Sequence, residues 1–297
     1  MILKFSSLIT SKEELSTLTG IPTFEVLNLL EELVVTVRPK HKTSSRFDLR
    51  EMILMTCMKL KQNLSYTVLA ILFKCSKDTC KDIIFDMINN LNLCLKPVIY
   101  WPTKYNILKN MPGCFRGFEN VRVVIDFTEI RIQRPSKLCC QLQTYSYYES
   151  TYTVKFMTGM TPAGLISFVS KPYGGRVSNN MIFEQSNLLK KMDKKDALLA
   201  DKGFTVDNLC KQHDVTFVSP LFIGDKTQFS KTETLLNHNI ARARVPIERS
   251  NQRLKCFNIL SNTMPMCLLS KVEEIFNVTC GLVNLSAPIL ENDKFFS

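Results

Sequence analysis

Histidine is scarce in this chain, with only His41, His213 and His238 in 297 residues. Cysteine is plentiful at 11, yet no Cys-x-x-Cys pair occurs. Cys139 and Cys140 are adjacent, and Cys75 and Cys80 have no second Cys/His pair nearby. Zinc-finger spacing is therefore missing, and the pattern reads as free thiols in a reducing compartment. Long apolar runs are also missing. None reaches the roughly 18–20 residues that span a bilayer. The first ten residues lack a charged n-region, a long h-region and a small-residue cleavage site. A soluble, intracellular protein with no membrane partner is expected. Acid is in deficit as well. Lys and Arg number 38 against 27 Asp and Glu, a net charge of +11. That excess favours polyanions, of which nucleic acid is the commonest in a cell, although charge alone leaves the partner open.

The length suits about two domains, and 45% hydrophobic with 22% charged residues is ordinary globular composition. Residues 12–35 read as helical. Thr23 stands at a helix start, and Phe24, Leu27, Leu30 and Val34 follow at helical spacing. The basic stretch 38–46 reads as a solvated linker, with a nuclear import signal as the alternative. Three helical patterns follow: about 48–61, a short one capped by Ser65 and running to Phe73, and about 77–93 after Lys74-Cys75-Ser76. Short helix, tight turn and longer helix is the helix-turn-helix pattern. Lys77 and Lys81 on the last helix are candidate DNA contacts, offset by Asp78 and Asp82; a plain helical bundle is the rival reading.

From residue 121 the pattern changes. Residues 121–133 are rich in β-branched residues, and 151–160 and 164–170 flank Thr161-Pro162-Ala163-Gly164, a hairpin signal. A helix over 178–193, a strand over 196–201, a helix over 205–212, a strand over 215–219 and helix from about 230 complete the order. Three strands, helix, strand, helix, strand, helix is the order of the ribonuclease-H-like fold, in which the first and fourth strands are neighbours. An α/β domain over about 115–292, preceded by an all-α helix-turn-helix domain over about 12–110, is expected.

Three acids stand out. Asp126 closes Val-Arg-Val-Val-Ile, Asp201 closes Ala-Leu-Leu-Ala, and Glu248 lies in a basic, helix-like run. Singly, each has an ordinary reading: a turn or cap residue for the aspartates, half of a surface ion pair for the glutamate. Together, acids at two strand ends and on one helix can converge on divalent metal, the chemistry that cuts or joins phosphodiesters.

Several collinear stretches carry a resemblance. They include Gly20-Ile21-Pro22-Thr23-Phe24-Glu25-Val26, the segment 58–66, Asp126-Phe127-Thr128-Glu129-Ile130, Thr144-Tyr145-Ser146 and Val154-Lys155-Phe156. Gly174-Gly175-Arg176-Val177-Ser178, Ala200-Asp201-Lys202-Gly203-Phe204 and 240–255 continue the series. With them the chain, from about 14 to 291, resembles the transposase-derived DDE superfamily endonucleases of the PIF/Harbinger type. The likeness is to the branch found beside THAP-type zinc fingers, although no such finger is present here. The resemblance implies a nuclease core with Asp126, Asp201 and Glu248 as catalytic ligands of Mg2+ or Mn2+.

Two positions depart from the family pattern. Asn179 stands where an aspartate usually follows Gly-Gly-Arg-Val-Ser, and it offers a metal only a neutral carbonyl. Pro246 stands where a histidine usually precedes the glutamate by two residues. Because proline disrupts helix interiors, the helix bearing Glu248 is expected to start or kink at Pro246, leaving Glu248 in its first turn. Glu129, at an odd offset from Asp126, is expected on the opposite face of its strand.

Arg242, Arg249 and Arg253 would share part of a helix face and are candidate phosphate contacts, with a solvated surface as the plain alternative. Lys155 and Arg176 are weaker candidates. The sequence thus points to a nuclear, metal-dependent DNA endonuclease or transposase. The alternative is a domesticated DNA- or protein-binding module that no longer cuts, and a third reading is an adaptor giving a protein partner DNA targeting or nuclear import.

Overall fold

Serine and threonine caps punctuate the helices of this chain. In α1 (Lys12–Thr19) Ser11 and Glu14 form a reciprocal capping box, and Gly20 ends the helix at φ 74°. Thr23 accepts from the Val26 amide at the start of α2 (Phe24–Val37). Asp48 caps α3 (Leu49–Gln62), Ser65 caps α4 (Tyr66–Leu72) and Ser76 caps α5 (Lys77–Leu95). Thr103 caps α6 (Lys104–Lys109). The computed structural model describes residues 4–37, 47–224 and 227–289. The segment 38–46, read as a linker or import signal, lies outside them.

The remaining elements follow in chain order. They are β1 (Val121–Arg131), α7 (Leu138–Thr144), β2 (Tyr145–Ser146), β3 (Thr151–Met160), β4 (Ile166–Val169), β5 (Tyr173–Gly174) and α8 (Asn179–Gln185). Then come β6 (Ala197–Leu199), α9 (Asp207–Gln212), β7 (Thr216–Val218), α10 (Lys231–Lys255), α11 (Asn258–Ser261) and α12 (Val272–Asn284).

Two compact units result. The described parts of Met1–Ile99, Ile130–Gln133 and Arg253–Ala287 make up the first. Its core is helical: α2 packs on α3 and α5, α12 packs on α5, and Leu27, Leu30, Val34, Ile84, Ile88, Ile275 and Phe276 are buried. Between α4 and α5, Lys74 takes a left-handed turn at φ 53°, and the Cys75 amide donates to the Ala70 carbonyl. That reversal makes the helix-turn-helix geometry.

The second unit holds Tyr100–Glu129, Arg134–Gln252 and the described residues that follow Pro288. Its sheet runs β2-β3-β1-β6-β7, with β4 and β5 paired to β3. β3 and β4 are antiparallel, while β1–β6 and β6–β7 are parallel. The strand neighbours are therefore β4, β3, β1, β6, β7, as the ribonuclease-H-like order requires. Gly174 and Gly175 are needed for close approach: a Cβ on either would overlap the Gln143 carbonyl or the Thr153 hydroxyl.

The expected helix over 178–193 is broken. Asn187 adopts φ 57° and separates α8 from a 3-10 turn at Leu188–Lys191. A single αL residue ends an α-helix, and asparagine tolerates that conformation.

The helix carrying Glu248 also departs from expectation. α10 begins at Lys231 and runs through Pro246, so Glu248 sits deep inside it rather than in a first turn. Ile240, Ala243 and Ile247 are buried along α10 around Pro246, and that burial offsets the hydrogen bond that proline cannot donate.

Candidate metal and nucleic-acid site

Strand parity decides which way the acids face. Val123 and Ile125 of β1, with Leu198 and Ala200 along β6, enter a core closed by Ile182, Phe183 and Cys210 of α8 and α9. Successive side chains alternate across a sheet. Asp126 and Asp201 therefore belong to the opposite face. The β1–β6 ladder pairs Val124 with Leu199. Continuing it two residues brings Asp126 level with Asp201. Each aspartate is anchored alike: Oδ1 of Asp126 accepts from the Phe127 amide at 2.8 Å, and Oδ1 of Asp201 from the Lys202 amide at 2.6 Å. Gly203 then turns the chain at φ 98°.

The long helix α10 meets both acids on this face. Arg244 donates to Asp201 Oδ1 at 2.8 Å, and its second terminal nitrogen lies 3.9 Å from Glu248 Oε1. Asn251 donates through Nδ2 to Asp126 Oδ2. Residues 244, 248 and 251 are spaced i, i+4, i+7, which is one helix face. Ser250 adds a 2.9 Å bond to the Gly164 carbonyl in the β3–β4 turn. Neither Arg244 nor Asn251 was singled out for this role from the sequence. The i, i+4, i+7 spacing around Glu248 was the available signal.

All three acids thus gather around one face of α10, but their carboxylates do not form a ligand cluster. Among the described residues no three His, Cys, Asp or Glu side chains stand together as a metal site. The Arg244 guanidinium lies between Asp201 and Glu248, whose side chains are 50% and 60% exposed. The donor chemistry nonetheless fits a hard divalent cation. Every donor is oxygen, and Asn251 Oδ1 is buried beside Asp126 without a hydrogen-bond partner.

Asn179 is placed elsewhere. Its Oδ1 accepts from Lys155 Nζ at 3.3 Å, and the same ammonium pairs with Glu129 at 3.1 Å and bonds the Val177 carbonyl at 3.2 Å. Thr153 donates to the other Glu129 oxygen at 2.6 Å. Glu129 and Asp126 accordingly have different partners. Lys155 is committed to this buried network.

The basic candidates divide similarly. Arg242 is exposed and Arg249 half-buried, whereas Arg253 donates to the Ala287 carbonyl. Lys202 lies over the Phe222 ring at 4.9 Å. In the helical unit Lys77 and Lys81 are exposed on α5 beside exposed Asp78 and Asp82. No helix of the described residues is long and apolar enough to cross a membrane.

Comparison with known proteins agrees with this architecture. The family model for the helix-turn-helix of DDE superfamily endonuclease matches residues 45–97. The chain is 30% identical over 162 residues to a protein of Microchaete diplosiphon named as a probable transposase for insertion sequence element IS702. That match covers 54% of each chain, so this chain spans about half the length of the relative. The family model for DDE superfamily endonuclease matches residues 125–284, more than half of the 297. The sheet order, the acids facing α10 and this match make the chain a member of the DDE superfamily of endonucleases.

Proposed function

We propose that this protein is a divalent-metal-dependent DNA endonuclease of the transposase kind, from the PIF/Harbinger branch, acting in the nucleus. Asp126, Asp201 and Glu248 hold Mg2+ or Mn2+. The observation that carries the reading is the shared α10 face, whose residues 244 to 251 reach Asp126 within β1 and Asp201 just past β6. When bound, such a cation activates a water or 3′-hydroxyl and stabilises the leaving oxygen. The chain's own groups do the rest. The backbone amides of Phe127 and Lys202 orient the aspartates, Arg242 and Arg249 take backbone phosphates, and α5 presents Lys77 and Lys81 to the duplex.

One observation favours a second reading, a domesticated module that binds DNA or a protein partner without cutting. Asn179 gives its carbonyl to Lys155, so that position supplies no anionic ligand.

The test is nicking of supercoiled plasmid in Mn2+ by wild type, Asp126→Asn, Asp201→Asn and Glu248→Gln. Nicking by wild type that disappears in all three folded variants supports the endonuclease. A folded wild type that binds DNA but leaves it intact in Mn2+ and Mg2+ supports the module.

A further inference from the structure

We infer that Asn251 is a further residue of the metal site, holding Asp126 through its amide NH2 and offering its carbonyl oxygen to the cation. This rests on the metal-dependent reading above and adds a ligand that none of the three acids supplies. Asn251 is only 9% exposed. Its Nδ2 donates to Asp126 Oδ2. A carboxylate accepts and does not donate, so this bond settles the amide orientation with nitrogen toward the acid. Oδ1 shares its carbon with that nitrogen and so lies close to Asp126, yet it is buried with no partner. Buried polar atoms are nearly always satisfied, and a buried orphan acceptor beside acids calls for a donor or a cation.

The position on α10 agrees. Asn251 is three residues beyond Glu248 and seven beyond Arg244, on the face that meets Asp126 and Asp201. Hard divalent cations accept amide carbonyl oxygens alongside carboxylates.

The experiment measures Mn2+ binding by calorimetry, and separately by loss of the free Mn2+ electron-paramagnetic-resonance signal. It uses the full chain as wild type, Asn251→Leu, Asn251→Ala and Asn251→Asp. Circular dichroism without metal reports folding. Leu and Ala should weaken Mn2+ binding roughly tenfold or more, the scale of lost metal-site support. Asp keeps an oxygen and adds charge, so Asn251→Asp should bind at least as tightly as wild type. Its melting temperature should rise more on adding Mn2+ than that of wild type. A purely structural Asn251 predicts the reverse, because Asp loses the NH2 donor and repels Asp126. Wild-type affinity in folded Leu or Ala variants overturns the inference, as does Asp binding no better than Leu. A wild type that binds no Mn2+ at all fails at an earlier step and removes the metal-dependent reading together with this one.

Discussion

Arg244 donates a 2.8 Å hydrogen bond to Asp201 across 43 residues of sequence, tying the middle of α10 to the end of β6. A guanidinium and a divalent cation compete for the same carboxylate oxygens. This pairing therefore sets how readily Asp201 and Glu248 turn to a metal.

Replacing Arg244 by alanine should cost little stability. Asp201 is half exposed, and pairs of that kind contribute about 0–1 kcal/mol. The same change should tighten Mn2+ binding several-fold, because the competing cation is gone. Urea unfolding and calorimetry on one protein preparation check both halves. A large loss of stability, or weaker metal binding, contradicts the account.

Lys155 and Glu129 should behave differently, since their side chains are only 9% and 11% exposed. Lys155→Met leaves a carboxylate buried with only the Thr153 hydroxyl, and removes the donor to Asn179 and Val177. Losing one partner of a buried pair costs about 3–5 kcal/mol. The double variant Lys155→Met with Glu129→Leu should recover much of that loss, as read from urea midpoints.

Pro246→Ala should stabilise the protein. An interior proline costs a helix about 3 kcal/mol, part of which the buried ring returns through packing. A net gain of about 1–2 kcal/mol is expected, visible as a higher melting temperature. An unchanged or lower value would mean that the ring's contacts outweigh the missing hydrogen bond.

The thiols should separate by reactivity. Cys139, Cys256 and Cys267 are exposed and should react first with a disulfide reagent at pH 8. Burial pushes Cys57 from its ordinary 9.0 up to about 12, and Cys210 to about 11. These groups stay neutral in the fold but ionise near 9 once unfolded. Their contribution to stability is full below pH 9 and is lost as pH rises from there toward 11–12. Unfolding free energy measured from pH 8 to 11 should fall with pH, and buried thiols that label early would contradict it.

Much of the architecture was legible in the chain. The cap at Ser65, the turn at 74–76, the run 121–133 and the hairpin at 161–164 each encode their element through local hydrogen bonding or side-chain period. Asp126 and Asp201 stood out because an acid ends each apolar run, although β1 continues past Asp126 to Arg131, and period-two alternation already assigns such a residue a face. The start of α10 near residue 230 was legible, but its passage through Pro246 was not. Local rules stop a helix at Pro246, and burial of Ile240, Ala243 and Ile247 around it carries α10 through. Nor was Asn179 legible, because its carbonyl is claimed by Lys155 from a strand 24 residues away.

The sequence by itself determined most of the helices and strands, because caps, turns and periodicity act within a few residues. Tertiary structure alone decided that Arg244 meets Asp201 and that Asn251 meets Asp126, pairs 43 and 125 residues apart. Such contacts depend on which face of α10 packs onto which face of the sheet. That choice is set by burial summed over the whole unit, and no local pattern encodes it.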